Sequence, residues 1–252
     1  MQSTMTHRRH LLAAILCGAS MALACTHAAA QTSPANEVAA HAVAKRGTAP
    51  ARVAAERDLA RFIAHQQQTR SIGSAADSPF DVAHPKDLLN ARIGYGFAVY
   101  TVDPADLLSG RGGMQQMAKP TGQWRFVVML GDKAIGLATV EQNNGAYETT
   151  AYGGALLAKD VESLMSRHGN KDKSNLRFLR IYQARADLLE VSGQNDGTVR
   201  FAPLHSARQS LGMEASETMT ASQEKAAAPL LDESEMLQAL RSAVKTNLDA
   251  SR

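Results

Sequence analysis

Residues Gln123 to Tyr152 read QWRFVVMLGDKAIGLATVEQNNGAYETTAY, and this stretch decides the fold. Trp124, Phe126, Val128 and Leu130 recur at every second position, the period of a strand whose side chains alternate between two faces. Gly131-Asp132-Lys133 turns the chain, Ala134 to Gln142 returns, and Asn143-Asn144-Gly145 turns it again into Ala146 to Tyr152. Asn-Gly supplies the positive φ angles that tight hairpins need, so the stretch predicts an antiparallel meander.

Upstream, Ile93 to Val102 alternates bulky and bare positions. Tyr95, Phe97 and Val99 share one face of the predicted strand, and Gly94, Gly96 and Ala98 the other. A bare face admits a packed helix, another backbone or a ligand. Asp103 caps a short helix that begins at Pro104, and Gly110 to Gly122 reads as a loop. Downstream, Gly153 and Gly154 break the last strand of the meander. The helix Ala155 to His168 follows, with Leu157, Val161, Leu164 and Met165 on one stripe and Gly169 as its stop. Three more β segments are expected, over Leu176 to Ala184, Asp187 to Ser192 and Thr198 to Phe201, then a helical turn at Leu204 to Leu211.

The fold class is therefore α+β: an antiparallel sheet with a helix packed on one face, flanked by helical or disordered arms. Residues 93–212 form the core domain, since nearly all aromatic residues and β-branched runs fall there. Residues 51–92 hold a helix with an apolar stripe of Val53, Leu59, Phe62 and Ile63, followed by a loop. Residues 31–50, rich in alanine and low in apolar bulk, read as a disordered spacer, and 213–230 as a linker. Residues 231–252 form an amphipathic helix whose stripe is Leu237, Leu240, Val244 and Leu248. The order strand, short helix, three strands, helix, three strands resembles, in topology, the sensory and scaffold modules of the profilin-like and PAS-like kind. No motif residue accompanies the resemblance, so it implies a fold and no chemistry.

Residues 1–30 carry the address. Arg8 and Arg9 precede an uncharged apolar run from Leu11 to Ala24, and Ala28-Ala29-Ala30 offers the small residues that a signal peptidase accepts before Gln31. The run falls short of the about 20 apolar residues that span a bilayer. A secretory signal peptide is expected, and with it a periplasmic or secreted protein. The alternative is a lipoprotein anchored to the membrane through an acylated Cys25. Cys17 and Cys25 are the only cysteines, so cleavage after Ala30 removes every thiol, and with them disulfides, thiol catalysis and cysteine metal sites. It also takes two of the 27 basic residues and none of the 24 acidic ones, leaving a near-neutral chain without the basic excess of a nucleic-acid binder.

Chemistry is sparse. His41, His65, His84, His168 and His205 are scattered, none at metal-ligand spacing, and no serine sits in a G-x-S-x-G elbow. No catalytic residue, metal or cofactor is expected. Gly153 and Gly154 precede a helix start, where free amides can hold an anion. Arg125, Arg177, Arg180, Arg185 and Arg200 punctuate the strands, most of them on a solvated side. Arg180 differs, because it shares parity with Phe178 and Tyr182 and needs a carboxylate, an aromatic stack or an anionic ligand. The candidate ligand residues are thus Arg180, Gly94, Gly96, Gly153 and Gly154. The leading function is a non-enzymatic binding or accessory module that meets another envelope protein, or a second copy of itself, through Leu237, Leu240, Val244 and Leu248. The alternatives are a sensor or carrier of a small ligand, an anion included, and an enzyme without a visible signature.

Overall fold

The computed structural model describes residues 34–68, 78–193, 198–213 and 230–250, with side chains in the first segment from Thr48 onward; all belong to one compact unit, Ser33–Arg252. The expected leader, with Cys25, the Asn195-Asp196-Gly197 turn and most of the 213–230 linker lie outside the described residues.

Helix α1 (Pro34–Gln68) leads through a 3-10 turn (Pro85–Asn90) to β1 (Ala91–Val102), short helices α2 (Pro104–Ser109) and α3 (Met114–Met117), β2 (Ala118–Leu130), β3 (Lys133–Asn143) and β4 (Ala146–Gly153). Then come α4 (Ala155–His168), β5 (Leu176–Ile181), β6 (Ala186–Ser192), β7 (Val199–Pro203), α5 (His205–Ser210), β8 (Leu231–Asp232) and α6 (Glu233–Ala250). All eight strands join one sheet in the order β4-β3-β2-β1-β5-β6-β7-β8. Neighbouring strands run antiparallel except β1 and β5, which pair in parallel at Val99 with Phe178 and Tyr100 with Leu179. That exception follows from α4: after β4 reaches one edge, the helix carries the chain back across a face and delivers β5 beside β1.

The meander forms as its turns dictate. Asn144 and Gly145 hold φ of 48° and 84°, the positive pair a two-residue hairpin demands. Alternation then sends Trp124, Phe126 and Val128 to one face and Val127 to the other. Both faces are covered. The Val127 face packs with Phe97, Val99, Leu137, Phe178 and Leu189 against Ala158, Val161, Leu164 and Met165 of α4. The Trp124 face is shared between two helices: α1 lays Ala51, Ala54, Ala55 and Leu59 over the meander half. Helix α6 lays Met236, Leu237, Leu240 and Val244 over Tyr100, Leu179, Ile181, Leu188 and Phe201.

Four expectations change. The segment read as a spacer is helical from Pro34, as alanine-rich sequence with proline at the first helical position allows. Val53 points outward at 63% exposure, because the small Ala51, Ala54 and Ala55 make the closer approach to the sheet. The loop read over Gly110 to Gly122 contains α3 and the first residues of β2. Most consequentially, the α6 stripe packs into the protein's own core. Leu240 and Val244 have no exposure, Leu237 only 8%, and Leu248 packs at the border of the same cluster. The cause is on the sheet: every β6 residue from Ala186 to Val191 is buried, so its second face needs a cover, and each Leu or Val buried there contributes about 1.5–3 kcal/mol. Among the described residues, no helix is long and apolar enough to cross a membrane.

The exposed side of β4 has its own cover. The Arg57 guanidinium donates to the Tyr147 carbonyl at 3.1 Å, and Asp58 accepts the Thr149 amide at 2.9 Å. These two adjacent α1 residues, themselves ion-paired, hold the Asp58 carboxyl below the usual carboxylate range, through the Arg57 hydrogen bond first and the Thr149 amide second.

Candidate functional site

The hairpin of β5 and β6 carries two arginine–carboxylate pairs across its ladder, Arg177 opposite Glu190 and Arg180 opposite Asp187. Three residues apart on a period-two strand, the pairs point to opposite faces. Arg177 and Glu190 face α6, and Arg180 and Asp187 face the α4 side.

The Arg177 pair is sealed. Its Nη2 and Nε reach Glu190 Oε2 at 2.6 and 3.1 Å, its guanidinium lies 5.3 Å from the centre of the Tyr100 ring, and Gln115 donates to Glu190 Oε1 at 3.4 Å. The side chains are 10% and 3% exposed. Burial pushes the Glu190 carboxyl up, with the Arg177 charge and hydrogen bond pulling it part of the way back. Arg177 and Glu190 meet directly, and the outer wall is closed by a second carboxylate, Glu233, which accepts the Met114 amide at the start of α3 and adds its repulsion to the rise of the Glu190 carboxyl.

The Arg180 pair is open and unbalanced. Arg180 Nη1 donates to both Asp187 oxygens at 3.0 and 3.2 Å and lies 5.4 Å from the Tyr182 ring centre, with a third of its side chain in solvent. Ser206 on α5 completes the acid's shell: its hydroxyl accepts the Asp187 amide at 3.0 Å and donates to Oδ2 at 2.9 Å. Asp160 of α4 accepts the amide of His205 and so positions the start of α5, with Arg208 3.4 Å away. Into this cluster β2 sends Arg125. Its guanidinium lies 5.6 Å from the centre of the Phe178 ring, and its Nε and Nη1 are buried with no hydrogen-bond partner. Burial lowers its proton affinity first of all, Asp187 opposes that shift and Arg180 adds to it. Arg125 thus feels the charges of Asp187 and Arg180 with no carboxylate of its own. Buried cations usually have partners of their own, because an unpaired charge in a low-dielectric setting is costly.

Of the residues singled out in the sequence, only Arg180 belongs to this cluster. Gly94 and Gly96 are not beside it. The bare face is filled from within: a Cβ on Gly96 would come 2.1 Å from the Phe126 ring, and Arg52 of α1 donates to the Gly94 carbonyl at 2.6 Å. Gly153 and Gly154 turn the chain into α4 with φ of 145° and 66°, which accounts for both glycines. The α6 stripe is core. Asp187 and Ser206 were not singled out, and Arg125 and Arg177, named among strand arginines mostly on a solvated side, have their guanidinium groups buried; one signal pointed to Arg125. Arg125 has the parity of Val127, and the apolar β6 run predicts that this face is covered too.

Open grooves along α1, lined by Leu59, Ile63, Leu89 and Ile93, and between α5 and α6, lined by Leu211, Gln238, Ser242 and Asn247, include no buried charge. Among the described residues, no three His, Cys, Asp or Glu side chains gather as a metal site. No family model, no curated protein and no solved structure matches the chain.

Proposed function

We propose that this is an exported, non-enzymatic binding module of the cell envelope, and that what it binds is an anionic group taken up at Arg125. The leader pattern of Arg8, Arg9 and the Leu11 to Ala24 run supports export. The observation that carries the binding reading is the surplus guanidinium: two buried nitrogens of Arg125 without a partner, beside an Arg180–Asp187 pair whose rim opens at Tyr182, 45% exposed. Meeting an envelope partner through Leu237, Leu240, Val244 and Leu248 has lost its support, since three of the four are buried in the protein's own core and Leu248 packs at its border.

Thermal melts of wild type and Arg125→Met in chloride alone, and with added acetate, phosphate or sulfate, test the binding reading. A ligand that prefers the folded state raises its midpoint, so at least one anion should raise the wild-type midpoint and leave the variant unmoved. Without ligand the variant should be as stable as wild type or more so, because methionine removes an uncompensated charge and keeps the stem. A destabilised, anion-indifferent variant would make Arg125 a structural residue. Mass spectrometry of the exported chain tests the address, with Gln31 expected as the first residue and a diacylglyceryl group on Cys25 as the contrary result.

A further inference from the structure

The charge balance and walls of the Arg125 cluster narrow the ligand further. Resting on the anion-binding reading above, we infer that the ligand is a small organic acid that presents a single carboxylate to Arg125 and lays an apolar or aromatic body along Tyr182.

The charges come first. Arg125 and Arg180 bring two positive charges, Asp187 one negative, and the nearby Arg208 and Asp160 cancel each other. One positive charge is left over. A carboxylate neutralises it, whereas a phosphate or sulfate dianion would leave a net negative charge beside buried Asp187, at 4% exposure. The cost of desolvating an ion grows with the square of its charge, which weighs further against a dianion where Arg125 is buried.

The walls come second. The Arg125 guanidinium lies over Phe178, whose ring is 4.9 Å from that of Phe97, and the Arg180 guanidinium lies over Tyr182. Phe178 and Arg180 share one face of β5, and Tyr182, in the turn just beyond, sets its ring against the Arg180 guanidinium, 5.4 Å away. The hydroxyl of Ser206 and one nitrogen of Arg180 are committed to Asp187. The buried donors without a partner are Nε and Nη1 of Arg125, and Arg180 commits only its Nη1 to Asp187, so the leftover charge rather than the number of donors selects the carboxylate. Beyond them Tyr182, 45% exposed and stacked on the Arg180 guanidinium, offers an aromatic surface on which an apolar body can lie.

Titration of the full chain at neutral pH with phenylacetate, acetate, phosphate and sulfate decides the point. It should be followed by calorimetry and by the NMR signal of the Arg125 Nε–H. Phenylacetate should shift that signal and bind more tightly than acetate, with phosphate and sulfate weaker than both. Arg125→Met should weaken phenylacetate by about tenfold or more, the worth of a charge-assisted contact. Tyr182→Ala should weaken phenylacetate and leave acetate unchanged. Phosphate or sulfate moving the signal at lower concentration than either carboxylate would overturn the carboxylate assignment and leave an anion site standing. A signal that no anion moves would overturn both.

Discussion

The two ion pairs of the β5–β6 hairpin have the same chemistry and opposite fates. Arg177 and Glu190 are enclosed between the sheet, α3 and α6, every guanidinium contact turned inward, with Tyr100 and Gln115 completing the shell and Glu233 at its wall. Arg180 and Asp187 stand on the other face at the end of α4, a third of the arginine in water, with Arg125 beside them and no acid of its own. Neighbouring residues of one hairpin thus produce a closed device that fixes the fold and an open one with a surplus charge. Burial of an ion pair is no mark of function; buried guanidinium nitrogens left without a partner are.

The comparison breaks most visibly at Glu190. Glu190→Ala leaves the Arg177 guanidinium buried and unpaired and should cost about 3–5 kcal/mol in urea unfolding, the range for breaking a buried pair. Arg180→Ala should cost less, about 1–2 kcal/mol by the same measurement, because the guanidinium is a third exposed and Ser206 and Arg125 remain to meet Asp187. Arg125→Met should go the other way and gain about 1 kcal/mol in the absence of ligand, read as a raised urea midpoint at unchanged slope. A loss equal to that of Glu190→Ala would erase the distinction between the two clusters.

The smallest effect is in pH. Burial raises the Glu190 pKa above its ordinary 4.5, so between that value and the folded one the native state holds the proton more tightly than the unfolded chain. Stability from this group is fully present below 4.5 and declines as pH rises through the folded pKa. Glu190→Gln should therefore lose less stability than wild type as pH rises above 4.5, followed by urea unfolding at fixed ionic strength.

Elements whose cause is local were legible. The meander, both of its turns and the Ala155–His168 helix follow from alternation, Asn-Gly chemistry and a stripe ended by glycine. What a stripe packs against is a tertiary fact. The α6 pattern showed that Leu240 and Val244 are buried, and only the exposed second face of β5 to β7 says by what. The site lay one step further off. Arg180 was visible through its parity with Phe178, but Arg125 reaches it across β1, and the parallel pairing of β1 with β5 depends on where α4 returns the chain. No local pattern carries that adjacency.

The Arg57–Asp58 contact on β4 has a consequence for the protein among its own copies. A strand at the end of a sheet presents unpaired amides and carbonyls to which a second chain can add, the first step of edge-to-edge aggregation. In this molecule the Tyr147 carbonyl and the Thr149 amide are already taken by one helix turn. Because the Asp58 carboxyl is held below the usual range, the guard outlasts the protonation of ordinary carboxylates, and in acid this margin of the sheet stays closed to a second copy until pH falls through the folded Asp58 pKa.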